Sequence, residues 1–155
     1  EDKQWHDKAR SAFQIWWQGL EQDTSMIDFL RFTQELLATR NTLPGLQGSG
    51  LNVFHVHNAN RILAFHRWVD DEGHDVIIVA SLNESTFWQY DLGFPRRGYW
   101  QEVFNSDVYD HWVNANVAGN AGGVFIDGQA QHNLPTSGRL VIAANSLSIF
   151  KWKNR

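Results

Sequence analysis

The chain is predicted to be mainly β, an antiparallel β-sandwich preceded by a helical segment, and three observations predict it. From about Gly48 onward the sequence breaks into short runs of β-branched and aromatic residues separated by Asn, Gly and Pro turns, the spacing of an antiparallel sandwich. Before that point one stretch carries the three- and four-residue apolar spacing of a helix. Among 155 residues there are eight Trp, ten Phe and three Tyr, the supply a tightly packed small β core uses.

The helix is expected over Met26 to Arg40, MIDFLRFTQELLATR. Met26, Ile27, Phe29, Leu30, Thr33, Leu36 and Leu37 form one stripe. Thr24 and Ser25 offer an N-cap, Asp28 sits in the first turn, and Pro44-Gly45 marks the stop. The Trp-rich segment ahead of it is read as irregular. Among the strands, NVFHVH and RILAFHRWV flank the turn Asn58-Ala59-Asn60. VIIVASL, apolar on both faces, is expected as a central, covered strand. FWQYDLGF alternates, with Trp88, Tyr90 and Leu92 on one side. YWQEVF, VFI, RLVIAA and LSIFKW follow, the last two across Asn145-Ser146.

Composition narrows the function classes. A net charge of −4 and no basic block beyond the Lys151 to Arg155 tail disfavour nucleic acid. No apolar run approaches the ~20 residues of a membrane span. Without Cys there is no disulfide, thiolate metal site or Cys nucleophile, which fits a reducing compartment, and a cytoplasmic location is expected. Asn83-Glu84-Ser85 matches a glycosylation sequon that a chain without a secretion signal would not use. The chain opens Glu1-Asp2-Lys3 without an initiator Met and is read as a piece of something longer.

Each candidate for chemistry has a plainer reading. Glu84 follows the apolar strand, where many α/β enzymes hold an acid. A helix of ten or more residues should then follow, and another alternating strand follows instead, so Asn83 to Thr86 reads as a hairpin turn. His55 and His57 would point two imidazoles to one side of a strand. A metal needs a further ligand, Arg61 is a poor neighbour, and His66 would join only by chance of register. Asp70-Asp71-Glu72, Asp107, Asp110 and Asp127 lie in loops with no sign that two carboxylates meet at the ~5–5.5 Å of a retaining glycosidase. No Gly-x-Ser-x-Gly elbow occurs, and the Gly119 to Gly123 cluster lacks the helix a phosphate loop needs. No metal and no cofactor is implied.

DFLRFTQELLATRNTLPGL, NVFHVHNANRILAFHRWV, VIIVASLNESTFWQYDLGFP and EVFNSDVYDHWVNANVAGNAGGVF together resemble the C-terminal part of bacterial 1,4-α-glucan branching enzymes of the α-amylase superfamily. The most specific pieces are R-x-x-L-P-x-L (Arg40 to Leu46) and VFNSD (Val103 to Asp107). The resemblance implies that 1–47 is the end of a catalytic (β/α)₈ barrel, its eighth βα loop and last helix, and that 48–155 is the α-amylase C-terminal all-β domain. It implies a retaining transfer of an α-1,4 glucan segment to a 6-hydroxyl by an Asp/Glu/Asp triad.

That triad is absent. No Arg has Asp two residues on, neither His6-Asp7 nor His74-Asp75 has the right preceding residue, and Glu84 falls in the sandwich. The fragment is therefore expected to be non-catalytic, stabilising the barrel and assisting glucan binding, or else to be a free-standing carbohydrate-binding module. The implied partners are an α-glucan through the parent enzyme and the missing barrel. Trp5, Trp16 and Trp17, in the implied barrel loop, and Trp88 and Trp112, with Tyr90 and Trp100 beside them, are the candidate sugar platforms. An apolar patch, or a dimer interface, is expected along Phe29, Phe32, Leu36 and Leu37.

Overall fold

The computed structural model describes residues 16–70 and 74–153. Among the described residues eight strands form two antiparallel sheets, the larger in the order β1-β2-β3-β8-β5-β6 and the smaller a β4-β7 pair. The strands are β1 Gly50–His57, β2 Ile62–Trp68, β3 Val76–Ser81, β4 Phe87–Phe94, β5 Gly98–Asn105, β6 Gly123–Ile126, β7 Thr136–Ile142 and β8 Leu147–Lys153. Ahead of them run α1 Gly19–Gln22, α2 Thr24–Thr42 and α3 Pro44–Gln47. The single helical turn α1 lies within the stretch expected to be irregular.

The sandwich core is built by inward residues of both sheets, including Ile77, Val79, Leu92, Phe94, Trp100, Leu140 and Phe150. Leu43, Leu46, Val76, Ile78, Phe104 and Ile149 form a second cluster on the outer face of the large sheet, with Phe32 and Leu36 packed on it. Successive residues of a strand point to opposite faces. β3 therefore sends Ile77 and Val79 into the sandwich and Val76 and Ile78 under the helices, which is why its sequence shows no alternation. The R-x-x-L-P-x-L exit has the same logic: Leu43 and Leu46 are its two buried anchors. Gly45 between them comes so close to the His74 carbonyl that a Cβ would lie 2.1 Å from its oxygen.

Local chemistry differs from expectation at three places. The N-cap of α2 is Asp23, whose carboxylate accepts from the Met26 N–H at 3.2 Å, not Thr24 or Ser25. A carboxylate one residue earlier serves the same amide donors, and the helix already includes both Thr24 and Ser25. Asp28 then lies beyond the first turn and is the one buried residue of α2.

Asn83 to Thr86 is not a hairpin. β3 and β4 belong to different sheets, so the segment is a crossing between layers. Its turn is made by the Asn83 side chain, which accepts from the Ser85 N–H at 2.9 Å, while the Thr86 hydroxyl accepts from the Ala144 N–H in the parallel crossing from β7 to β8.

β4 does not alternate throughout. Phe87 pairs with Ile142 and Tyr90 with Leu140, so Trp88 and Gln89 share a bulge opposite Val141 alone. The extra residue turns Trp88 away from the face of Tyr90 and Leu92.

Candidate interaction surface

α2 has two apolar faces, and the sandwich covers one. Asp28, Phe32 and Leu36, spaced by four, face the sandwich. Phe32 lies against Phe104 and Tyr109 at centroid distances of 5.7 and 6.0 Å. Asp28 is the latch: one carboxylate oxygen accepts from the Trp112 N–H and the other pairs with Arg31, each at 3.2 Å. Arg31 in turn lies 5.3 Å from the centre of the Trp112 ring.

The opposite face carries Phe29, 68% exposed, Leu37, 56% exposed, and Leu30. Near its start Trp16, Trp17, Leu20, Met26, Phe29 and Leu30 line an open, largely apolar groove of about 540 Å³. Leu51, Val53 and Val56 of β1 and Leu63 of β2 are exposed on the same outer face of the large sheet as the helices. Of the four residues expected as a patch, Phe29 and Leu37 are bare. Phe32 and Leu36 are instead pressed onto the second cluster, because the sandwich takes the stripe's inner half.

The aromatic candidates separate by exposure. Trp5 lies outside the described residues. Trp16 and Trp17 are more than half exposed and belong to the groove. Trp88 is 67% exposed on the outer side of the small sheet, near the surface ion pair of Asp91 with Arg139. Trp112 is exposed but occupied, stacked on Tyr109 at 5.3 Å and overlain by Arg31. Trp100 has no exposed surface and is a core residue, and the Tyr90 hydroxyl meets His55 Nε2 at 2.7 Å.

The acidic candidates do not assemble, and of the histidines the His55 and His57 rings lie 6.0 Å apart while His66 stands elsewhere. Glu84 and Asp127 are exposed on turns. Asp107 is an organiser of the loop after β5, accepting from the Ala118 N–H at 2.7 Å and from the Asn114 amide. With Asn105, which caps the turn Ser106–Tyr109, and Ser106, whose hydroxyl accepts from the Leu147 N–H, it gives the VFNSD motif a structural role. Of Asp70-Asp71-Glu72, only Asp70 is described, accepting from the Trp68 indole. His66 faces Asn52 in the ladder, three positions from His55, and pairs with buried Asp75 at 2.7 Å. Among the described residues no three His, Asp or Glu are arranged to hold a metal ion, and no helix is long and apolar enough to cross a membrane.

Asn120 escaped the sequence reading. It sits in the glycine cluster, buried, and its main chain and side-chain amide both donate to Glu102 of β5 at 2.9 Å. The same side chain accepts from the Val141 N–H and donates to the Val141 carbonyl, tying the large sheet to the free edge of β7. Burial pushes the Glu102 carboxyl above its ordinary pKa, against the pull of the Asn120 donors. No local spacing signals a residue whose partners lie 18 and 21 positions away.

Residues 54–153 match the family of the alpha amylase, C-terminal all-beta domain. The chain belongs to that family. Relatives include the 1,4-alpha-glucan branching enzymes GlgB of Synechococcus sp. (strain JA-2-3B'a(2-13)), 29% identical over 127 residues, and of Mycobacterium sp. (strain KMS), 35% identical over 85 residues. These alignments cover 82% and 55% of this chain but only 16% and 11% of those enzymes, so the matched part spans about one sixth and one ninth of the length of these relatives. The α-amylase from H. orenii shares the fold at a TM-score of 0.52 and 18% identity, over 86% of this chain and 22% of that one. The family's domain is the all-β body, and the helices lie largely ahead of the matched residues.

Proposed function

We propose that the chain is the non-catalytic C-terminal module of a 1,4-α-glucan branching enzyme of the cytoplasm. Residues 1–47 are the end of its catalytic barrel and 48–155 its C-terminal all-β domain. The observation that carries this reading is the second apolar face of α2. A single 19-residue helix that leaves Phe29, Leu30 and Leu37 uncovered beside an apolar groove has the surface of an internal element stripped of one neighbour. The relatives, about five times longer, leave room in the same polypeptide for such a neighbour, and the barrel that the resemblance implies ahead of the sandwich is the kind that fits. Among the described residues the loop acids Asp70 and Asp107 bond within their own loops and Glu84 and Asp127 are exposed, in keeping with a module that leaves the chemistry elsewhere. The reading frame upstream of Glu1 tests this. A barrel carrying an Arg-x-Asp segment is expected, and a start codon directly before Glu1 overturns the reading.

A second reading rests on Trp88. A free-standing sugar-binding module, or a module that also steadies the glucan, would use this ring, the most exposed described Trp. Titration with a maltooligosaccharide should then change the tryptophan fluorescence of the chain, and Trp88→Ala should abolish the change. A flat titration to about millimolar sugar, the weak end of the affinity scale, sinks that role.

A further inference from the structure

We propose that His55, His57 and His132 form an acid-sensitive clasp that joins the edge of the large sheet to the small sheet. The inference is independent of the branching-enzyme reading. His55 and His57 lie on β1, the outermost strand of the large sheet, and His132 lies on the turn between β6 and β7. The His55 ring packs 4.0 Å from that of His132 and 6.0 Å from that of His57, and its Nε2 meets the hydroxyl of Tyr90 on β4. Three chain segments and both sheets therefore meet at one buried imidazole.

The hydrogen bonds make this junction intolerant of protons. The Gly93 N–H donates to His132 Nδ1 at 3.2 Å, and the Asn60 N–H donates to His57 Nδ1 at 3.0 Å. Both rings must therefore be neutral, with the hydrogen on Nε2 and the lone pair on Nδ1. Adding a proton at Nδ1 sets a donor against a donor and breaks a main-chain hydrogen bond, one holding the 131–134 turn to β4, the other closing the turn after β1. The same tautomers turn the lone pairs toward backbone amides and away from any metal.

The groups facing the clasp are His57 on β1, Tyr90 on β4 and His132 on the turn. The charges that bear on His55 are those of His132 and His57, with no carboxylate among them. Asp91, next to Tyr90, is engaged outward by Arg139. Burial and then the neighbouring imidazoles hold His55 down to about 4, and burial and then His57 lower His132. Acid thus meets two adjacent rings, His55 and His132, that resist charging, and once charged they repel.

The test is a nitrogen-detected imidazole titration of the labelled chain by NMR, with amide exchange of Gly93 and Asn60 corrected for intrinsic rates. His57 and His132 should show the Nε2–H tautomer when neutral. Gly93 protection should fall about tenfold or more between about pH 7 and about pH 5, one decade per unit of proton linkage. His132→Asn keeps an oxygen acceptor, tolerates the left-handed backbone of His132 (φ 53°) and does not titrate, so its Gly93 protection should be flat over that range. An Nδ1–H tautomer, or equal acid sensitivity in His132→Asn, overturns the clasp. Should that variant not fold, the tautomers and the Gly93 profile of the unsubstituted chain decide alone.

Discussion

Asp28→Ala should loosen α2 from the sandwich, and the structure sets the size of the effect. The bond from the Trp112 N–H to a buried carboxylate is of the charge-assisted kind, whose loss costs about 1.5–3 kcal/mol. Its 3.2 Å length and the partial exposure of Trp112, which lets water substitute, place it at the lower end. The pair with Arg31 adds under about 1 kcal/mol, because Arg31 is 43% exposed. Ala returns about 0.5 kcal/mol through its better helix propensity. The net expectation is about 1–2 kcal/mol. Asp28→Asn, which keeps an oxygen for the Trp112 N–H, should lose about half of that. The assay is urea unfolding followed by tryptophan fluorescence, with amide exchange along α2 to separate local release from global unfolding. A cost below about 0.5 kcal/mol for Asp28→Ala, or equal costs for the Ala and Asn variants, would refute the latch, since exposed positions without a role shift stability by no more than that.

Stability should fall with acid through His55. Its folded pKa of about 4 lies below the ordinary 6.5, so the unfolded chain binds the proton more readily. The contribution is complete above pH 6.5 and is lost as pH falls towards 4. The full gap would be worth about 3.4 kcal/mol, and solvent screening reduces this to about 1–2 kcal/mol. Urea midpoints of the native chain and His55→Gln, compared across that range, should converge in acid, and parallel curves would contradict the assignment. Asn120→Ala should cost about 2–4 kcal/mol in the same assay, because it strips Glu102 of its side-chain amide donor, leaving only the main-chain one, and leaves the Val141 peptide open; a loss under about 1 kcal/mol would mean that water replaces the bridge. Glu84→Gln should change stability by less than about 0.5 kcal/mol, and a larger loss would give this exposed turn residue a role the structure does not show.

Where local pattern carries the information, the fold was legible in the residues. The uninterrupted apolar run of β3 reported a strand covered on both sides. The short polar turn at Asn58 to Asn60 reported a hairpin, and β1 and β2 do pair. The link from β3 to β4 was misread because a polar tetrapeptide looks the same whether it joins strands side by side or carries the chain to the opposite layer. That choice is made by which strands find which partners, and β3 is claimed on both sides by β2 and β8. The stripe of α2 was visible, but its division was not: only the docked position of the helix decides that Phe32 and Leu36 face inward and Phe29 and Leu37 outward. Exposure of the tryptophans was equally illegible. Trp100 and Trp88 sit on strands of similar composition, yet one is central to the core and the other stands in water. Tyr90 and His132 came into view as partners of His55 only in three dimensions, being 35 and 77 positions along the chain.

The bulge in β4 has a consequence for how such a surface could change over evolutionary time. Trp88 and Gln89 together face Val141, so removing either residue restores a one-to-one ladder without moving the Tyr90 to Phe94 half of the strand. Loss of the Trp88 codon would retire the aromatic display and its gain would create it, whereas loss of Gln89 would leave Trp88 alone opposite Val141 on the outer face, and in each case Leu92, Phe94 and Leu140 beneath would keep their places. Core substitutions must be accommodated by many neighbours at once. Here a single insertion or deletion switches what the small sheet offers to the outside, so length variation between relatives at this point would track surface chemistry more closely than sequence identity does.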